Sequence, residues 1–348
     1  MRTLDSVDLE LVLSETRPLW EEMRNQRIFI TGGTGFFGRW LLESFLFANR
    51  RLELNAQATV LSRDPDSFSR RAPHLGADPA ITLVQGEVRG FVQPTGDFAY
   101  VIHAATDVAA ITERPTDRFA SIVDGTATVL GFAATHNTRK FLLTSSGAVY
   151  GKQPSELSHI PETYIGSPDV LHASSVYGEG KRASELMCAL HAECSAMEIK
   201  IARCFAFAGP CLPLDGTFAI GNFIRDAIEG GPIQIGGDGT SVRSYLYAAD
   251  LAIWLWTMLF RAPSMQAFHV GSEDAISIGD LAKLVAKTLN PRVEINLAKQ
   301  PAPGVAGTRY VPSTEGTRAV LQLHQTVGLE EAIRRMAAWY GYGANQGR

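Results

Sequence analysis

The sequence predicts an α/β protein built on a doubly wound parallel (Rossmann) sheet, with a smaller, discontinuous α+β substrate domain. Short apolar runs alternate with helical patterns along most of the chain, which is typical of a parallel sheet covered on both faces. The first of these runs enters a helical pattern through a glycine-rich turn. With 348 residues, 45% of them hydrophobic, the chain can bury one large core or two modest ones.

Charge and composition argue against several classes of protein. A net charge of −4 and a pI of about 6.1 give no general attraction to nucleic acid or to an anionic membrane, so we expect neither partner. The four cysteines form no C-x-x-C pair, which favours reduced thiols and no metal site. The start of the chain lacks a signal-like apolar segment, and the apolar run 251–260 is too short to span a bilayer. We expect a cytoplasmic protein.

Residues 1–26 precede the first strand and form a predicted helical extension. Leu9, Val12, Leu13 and Trp20 give it an apolar face, and Pro18 should break the helix. The extension carries no cluster of ionisable groups beside an evident ligand site. We therefore expect it to pack over the sheet or against a neighbouring subunit.

The segment 27–42 has the pattern of a strand, a tight turn and a helix. Its glycines satisfy both G-x-G-x-x-G, through Gly33, and G-x-x-G-x-x-G, through Gly32. Such a turn lets the backbone approach a pyrophosphate, which the N-terminus of the following helix then binds. The predicted cofactor-binding residues of this turn are Gly32, Gly35, Phe36, Phe37 and Gly38.

The second strand, over 56–63, should end beside the ribose of the adenosine. An acidic residue there binds the 2′-hydroxyl of NAD, whereas an arginine suits the 2′-phosphate of NADP. The chain offers Ser62 and Arg63, with Asp64 beyond them. The cofactor is therefore NAD(P), with NADP(H) favoured over NAD.

The next two strands, 81–84 and 100–103, add residues to the same site. The third strand runs on to Glu87 and Val88, and the fourth ends in Ala104 and Ala105, whose small side chains admit a cofactor; we assign all four to cofactor binding. His103 lies on an apolar strand and is expected to be a packed core histidine rather than a catalyst.

The chemistry becomes specific after the fifth strand, 140–146, whose carboxyl end carries Ser146. Ligands bind at that end of an open α/β sheet. Tyr177 and Lys181 open a later helical pattern and lie one turn apart on one face. An ammonium group beside a phenol favours phenolate, so Tyr177 could exchange a proton with a sugar or alcohol hydroxyl that Ser146 also holds.

Together with the glycine turn, these residues resemble the extended short-chain dehydrogenase/reductase family, in its nucleotide-sugar epimerase, dehydratase and ketoreductase branch. The resemblance covers nearly the whole chain from about residue 27. It includes Gly125-Thr126 and the segment 145–151, and it implies that Ser146, Tyr177 and Lys181 form the catalytic triad, with Tyr177 and Lys181 also touching the cofactor. Ala206 replaces an asparagine common in the family's motif at 203–210, which puts one substrate contact in doubt.

The resemblance also implies a nucleoside-diphosphate sugar as substrate. The segment 221–224 resembles the family's diphosphate-binding segment, 232–235 the strand beside the base, and 236–250 its G-D-G…R…Y-x-x-D block. A loop at 301–307 should run beside this site. The implied substrate-binding residues are Asn222, Phe223, Gln234, Arg243 and Arg309, with both arginines near the diphosphate.

The reaction depends on the two positions after Ser146. The family's 4,6-dehydratases carry an Asp-Glu pair there and its decarboxylases keep the glutamate, whereas this chain has Gly147 and Ala148. Glu179 should face away from Tyr177 on its helix. Hydride transfer by an epimerase or a 4-ketoreductase is expected. A dehydratase with a relocated acid/base, or a non-catalytic dinucleotide sensor, is the alternative.

The predicted domains follow from the same resemblance. Residues 27–203 and 241–272 should form the NAD(P)-binding domain, and residues 204–240 and 273–348 the nucleotide-sugar domain. Two helices near the sheet edge, about 115–137 and 177–193, would form the four-helix seam of a homodimer usual in the family.

Overall fold

The computed structural model describes residues 2–106, 114–300 and 307–342. The expected loop at 301–307 therefore lies, except for its last residue, outside the described residues. In chain order the strands are β1 Arg27–Thr31, β2 Gln57–Ser62, β3 Ile81–Glu87, β4 Gly90–Phe91, β5 Tyr100–His103, β6 Lys140–Ser146, β7 Glu198–Cys204, β8 Phe207–Ala208, β9 Ile233–Ile235, β10 Val242–Arg243, β11 Leu246–Tyr247, β12 Ala267–Val270, β13 Ile276–Ser277, β14 Ile295–Leu297 and β15 Arg309–Tyr310.

The helices fill the intervals between these strands. The α-helices are α1 Ser6–Thr16, α2 Phe36–Arg51, α3 Pro65–Arg71, α4 Pro73–Gly76, α5 Pro115–Thr135, α6 Val176–Glu193, α7 Ala219–Glu229, α8 Ala248–Arg261, α9 Ile278–Leu289, α10 Glu315–Leu321 and α11 Leu329–Trp339, and the 3₁₀ helices are Arg17–Met23, Gly147–Tyr150 and Ala173–Ser175.

The main sheet confirms the predicted doubly wound fold. Within the described residues its strand order is β12-β7-β6-β5-β1-β2-β3-β4, and every pairing but the last, β3 with β4, is parallel. The chain moves outward from β1 through β2 and β3, and then returns to the other side of β1 with β5. The carboxyl ends of β1 and β5 therefore form the topological switch point, where ligands bind in such sheets.

Two cores cover the two faces of this sheet, because successive side chains of a strand point in opposite directions. Ile28 and Ile30 pack with α1, α2, α8 and α11. Phe29, between them, packs with α5 and α6. Helices α5 and α6 lie against β5, β6 and β7 in the interior of the sheet, not near its edge as the sequence suggested.

The N-terminal extension packs against α2 and α8, and the break at Pro18 is confirmed, since α1 gives way there to a 3₁₀ helix. The Trp20 ring contacts that of Trp256 at 4.7 Å between centroids. Asp8, which is 1% exposed, accepts hydrogen bonds from Tyr247 and Arg335 at 2.6 Å each. Asp8 thus links helix α1 to strand β11 and to helix α11.

Short strands outside the main sheet carry the predicted substrate segments. Strand β10 pairs antiparallel with β13 and parallel with β15, whereas β9 pairs parallel with β14. Helix α7, which carries Asn222 and Phe223, packs on β9 and α9. Among the described helices none combines the length and the apolarity that a membrane span requires.

Candidate active site

The glycine turn lies at the switch point. Gly32 has a φ of +71°, and a Cβ atom on it would lie 2.5 Å from the carbonyl carbon of Ala104. The end of β1 therefore passes directly against the end of β5. The Thr31 hydroxyl reinforces this contact, because it accepts a hydrogen bond from the Ala105 amide at 3.1 Å and bonds His103 Nδ1 at 2.7 Å.

His103 is confirmed as a packed core histidine. It is 2% exposed, and its other ring nitrogen lies 3.2 Å from the Thr126 hydroxyl. Burial lowers the pKa of His103 to about 3, so the ring is neutral at physiological pH. It holds β5 against β1 and α5, which is a structural role.

The residues present at the turn fit a dinucleotide pyrophosphate. Gly35 caps the 16-residue helix α2 without any side-chain hydrogen bond to its first turn, which leaves the backbone N–H groups for an anion. A Cβ atom on Gly38 would lie 2.2 Å from Gly33 Cα, so the third glycine brings helix and turn together. Phe36 and Phe37 open the helix and pack against the core.

The end of β2, where the sequence predicts the ribose of the adenosine, carries an arginine and a carboxylate that caps the next helix. Ser62 is buried and Arg63 is exposed. Asp64 accepts a hydrogen bond from the Ser67 amide at 2.8 Å and so caps α3. At the end of β3, Glu87 lies 3.6 Å from Arg89.

Val88, one residue beyond β3, packs on α5. A Cβ atom on Gly125 of that helix would lie 2.7 Å from Val88 Cγ1. The glycine of the Gly125-Thr126 pair is therefore needed for close packing next to the cofactor side of the sheet.

The predicted triad converges beyond the carboxyl end of β6. Ser146 Oγ accepts from the Ala148 amide at 3.1 Å, and its hydroxyl is close enough to that of Tyr177 to favour the phenolate. Lys181 Nζ donates to the Thr144 carbonyl and to the Thr106 hydroxyl, each at 2.8 Å. Its ammonium is thereby anchored between β6 and the end of β5, on the side of the switch point.

Burial opposes ionisation of both titratable members of the triad. It raises the pKa of Tyr177 to about 12, against the lowering effects of the Ser146 hydrogen bond and of the positive charge of Arg118. Burial also lowers the pKa of Lys181 to about 8. In the protein alone Tyr177 is therefore a protonated donor at neutral pH, and nearby positive charge is what favours its phenolate.

Arg118 is a site residue that the sequence reasoning missed. Its guanidinium carbon lies 5.2 Å from the centre of the Tyr177 ring. The side chain comes from α5, and a residue there gives no local signal of contact with a tyrosine on α6. The packing of α5 on α6 brings the two together.

Replacing Arg118 by Met should raise the pKa of Tyr177, because it removes a positive charge that favours the phenolate. For alcohol oxidation, which needs the phenolate, the ascending limb of the kcat/KM profile should move up by about half a pH unit. The exposed Arg114, at the N-cap position of the same helix, pairs with Asp117, so Arg114→Met is the control. An unmoved limb in Arg118→Met would contradict this role.

Four of the five predicted substrate residues line a cavity of about 300 Å³. Asn222, Phe223, Gln234 and Arg243 all line it. Phe223 is 2% exposed and forms part of its floor, and Asn222 Nδ2 donates to the Gly216 carbonyl at 3.2 Å. Gln234 lies on β9 with an exposed side chain.

Arg243 gives this cavity its positive charge. Its guanidinium donates to the Thr308 carbonyl at 3.2 Å and forms no salt bridge with a carboxylate among the described residues. A cation that is held in place but not neutralised is suited to a phosphate.

Arg309 does not accompany Arg243, contrary to the sequence-based expectation. In the parallel pairing of β10 with β15, Arg243 is opposite Tyr310 and Val242 is opposite Arg309. Because side chains alternate along a strand, Arg309 points to the other face, where it donates to the Ser158 carbonyl at 3.3 Å. Tyr310 takes the place beside Arg243.

A buried polar network connects β6, the strand that ends in Ser146, to the elements packed against it. Ser145 donates to Glu185 at 2.5 Å, and Glu185 forms a salt bridge with Arg203 at 2.6 Å. Arg203 also donates to the Tyr150 hydroxyl at 2.6 Å. That hydroxyl in turn lies 2.7 Å from His269 Nε2. Arg203 therefore has a structural role, although the resemblance implied that the motif it begins, at 203–210, contacts the substrate.

Glu179 on α6 forms a salt bridge with Arg182, at 3.5 Å between Oε2 and Nε.

A larger cavity, of about 650 Å³, lies between the N-terminal extension and the end of α2. Of the three arginines that line it, Arg24 pairs with Glu21 and Arg51 with Glu10, whereas Arg17 forms no salt bridge among the described residues. Among the described residues no cluster of three or more His, Cys, Asp or Glu side chains could hold a metal ion.

Comparison with known proteins adds three findings. Residues 28–271 match the family model described as the NAD dependent epimerase/dehydratase family. The chain is 28% identical over 276 residues to UDP-glucuronic acid decarboxylase 5 of Arabidopsis thaliana, covering 79% of this chain and 78% of that protein. It is 24% identical over 336 residues to UDP-glucuronic acid decarboxylase 1 of Danio rerio, covering 96% and 78%.

Solved structures share the fold. The UDP-glucose 4-epimerase of Thermotoga maritima, solved with UDP-glucose, has a TM-score of 0.75 at 20% identity and covers 90% of this chain and 98% of its own. DesIV, a dTDP-glucose 4,6-dehydratase of Streptomyces venezuelae solved with NAD, has a TM-score of 0.76 at 20% identity, with coverages of 90% and 97%.

Proposed function

The chain belongs to the NAD dependent epimerase/dehydratase family, and on that premise we propose that it transfers hydride at a carbon of a nucleoside-diphosphate sugar. The observation that carries the proposal is the convergence of Ser146, Tyr177 and Lys181 beside the glycine turn, with the Arg243 cavity nearby. The pyrophosphate of the cofactor fits the turn, and the diphosphate of the sugar fits Arg243.

Each residue of the proposed site has a distinct role in the reaction. Tyr177 removes or returns the proton of the sugar hydroxyl, and Ser146 holds the same oxygen. Lys181 holds the nicotinamide ribose, and its charge with that of Arg118 favours the phenolate form of Tyr177. When bound, the dinucleotide accepts a hydride from the sugar carbon or returns it.

Elimination and decarboxylation are less well supported, although the relatives named above include decarboxylases. A Cβ atom on Gly147 would lie 2.6 Å from the Phe205 ring and 2.7 Å from the Tyr310 hydroxyl. An acidic side chain therefore has no room at position 147. Ala148 offers no proton donor, and Glu179 is paired with Arg182.

The experiment that tests the proposal is mass spectrometry and absorbance of the purified protein, followed by incubation with nucleoside-diphosphate sugars. An epimerase would retain its cofactor and interconvert two sugars, whereas a 4-ketoreductase would consume added NADPH with a 4-keto sugar. Release of water or CO₂ would instead indicate a dehydratase or a decarboxylase. Failure to bind or convert any such sugar would overturn the proposal and favour a dinucleotide sensor.

We further propose NADP(H) as the preferred cofactor, because Asp64 is committed to capping α3 and Arg63 is exposed at the end of β2. Arg63→Ala should weaken NADPH binding about tenfold, the cost of one charged hydrogen bond. The affinity of the same variant for NADH is the control and should not change. Tightly retained NAD(H) in the wild type would contradict this preference.

A homodimer through α5 and α6 is proposed as well. Phe119 on α5 is 40% exposed, and Leu186 and Leu190, one turn apart on α6, are 61% and 56% exposed. An apolar patch of this kind suits a second copy of the chain, and the mass measured by sedimentation tests it. The domain boundaries given above and a cytoplasmic location stay predictions.

A further inference from the structure

The Tyr310 hydroxyl lies at the catalytic centre, although it is not part of the predicted triad. Its Oη atom is 3.5 Å from Ser146 Oγ and 3.5 Å from the Cys204 carbonyl oxygen. Strand β15 carries it there, in register with Arg243 on β10. One strand pair thus presents a cation to the cavity and a phenol to the triad.

The segment around Tyr310 is held firmly from both sides. The Val311 amide donates to Gln153 Oε1 at 2.9 Å, and the Ile160 amide donates to the Val311 carbonyl at 2.8 Å. The ring of Tyr310 packs on Phe205, at 4.7 Å between centroids. The position of the hydroxyl is therefore fixed by the fold before any ligand binds, as a catalytic group requires.

The protein satisfies this hydroxyl poorly. Hydrogen bonds between oxygens are ordinarily 2.5–3.0 Å long, and among the described residues Tyr310 Oη has no partner closer than 3.5 Å. Buried polar groups usually find better partners. A ligand oxygen between Tyr310 and Ser146 would supply one.

Tyr310 is suited to donate and not to accept a proton. Burial raises its pKa well above the ordinary value for a phenol, against the lowering effect of the Ser146 hydrogen bond. Its proton is therefore present at any working pH. Unlike Tyr177, it has no guanidinium over its ring among the described cation–π contacts.

We propose that Tyr310 is a further catalytic residue, whose hydroxyl donates a hydrogen bond to the sugar oxygen that Tyr177 deprotonates or protonates. The inference rests on the proposed function. In the oxidative direction the O–H proton passes to the phenolate form of Tyr177 and the C–H hydride to the dinucleotide, and the C=O bond forms. Tyr310 keeps its own proton and stabilises the negative charge that develops on the oxygen.

Tyr310→Phe tests the proposal, because it removes the hydroxyl and keeps the ring on Phe205. We expect kcat to fall about a hundredfold to a thousandfold, with KM for the sugar and the affinity for the dinucleotide nearly unchanged. The kinetic isotope effect of a sugar deuterated at the reacting carbon should rise, since hydride transfer becomes slower. A purely structural role for Tyr310 would not increase that isotope effect.

The matched control is Tyr100→Phe, which removes a buried hydroxyl that donates to the Glu22 carbonyl at 2.8 Å, away from the triad. It should leave kcat unchanged, and thermal melts of both variants monitor folding. An active wild type with an unchanged kcat and isotope effect in Tyr310→Phe would overturn the inference alone. A wild type that neither binds nor converts a nucleoside-diphosphate sugar would overturn the proposed function and the inference with it.

Discussion

Tyr177→Phe is expected to reduce hydride transfer about a thousandfold, within the range that general acid–base catalysis contributes. The Tyr177 phenol can exchange a proton with a hydroxyl that Ser146 also holds, and Phe keeps the ring beneath Arg118. Binding of NAD(P)H should persist, because the glycine turn and Lys181 are untouched. Turnover of the sugar, together with the fluorescence of bound NAD(P)H, measures both effects.

The control for this variant is Tyr340→Phe, whose hydroxyl donates to the Leu212 carbonyl at 2.5 Å outside the triad. It should keep full activity. If Tyr177→Phe retained wild-type turnover, Tyr177 could not be the proton-transfer group. A non-catalytic sensor would likewise keep its biological function in Tyr177→Phe, whereas an enzyme would lose it.

Gly38→Ala should abolish dinucleotide binding and lower the free energy of unfolding by about 3 kcal/mol, the upper part of the range for overpacking. Its Cβ atom would lie 2.2 Å from Gly33 Cα and 2.4 Å from the Gly32 carbonyl oxygen. These are backbone atoms, so helix α2 must separate from the turn that binds the pyrophosphate. Chemical denaturation and NADPH titration test the two effects.

Gly131→Ala is the matched control, because it adds the same methyl group to helix α5 where nothing lies within 4 Å. It should stabilise the protein by up to about 1 kcal/mol, the helix preference of Ala over Gly, and leave cofactor affinity unchanged. A Gly38→Ala variant that folds and binds NADPH like the wild type would contradict the role assigned to this glycine.

The sequence predicted the elements that have a strong local pattern. Strands β5 and β6 have the predicted bounds, since each is an apolar run between clear boundaries. The glycine turn was predictable because its residues are contiguous. Ser146, Tyr177 and Lys181 could be found because they follow a strand end and a helix start.

The predicted substrate-binding segments were harder to predict from the sequence, because their strands are short. Strands β10 and β15 have two residues each, too few to show an alternating pattern. Arg309 was therefore assigned to the diphosphate from its charge and the loose motif around it, although register turns it to the opposite face. The same register brings Tyr310 to the triad, a contact that spans 164 residues.

The Asp8 contact with Arg335 has a consequence for the order in which the protein folds. The partners of Asp8 lie 239 and 327 residues later in the chain, so during synthesis these two contacts cannot form until Tyr247 and Arg335 have left the ribosome. Helix α8, which packs on the extension and is buried at every position but Arg261, is likewise made long after α1. Contacts of such long range slow folding. A nascent chain that still exposes its tryptophans is prone to aggregate, which chaperones prevent.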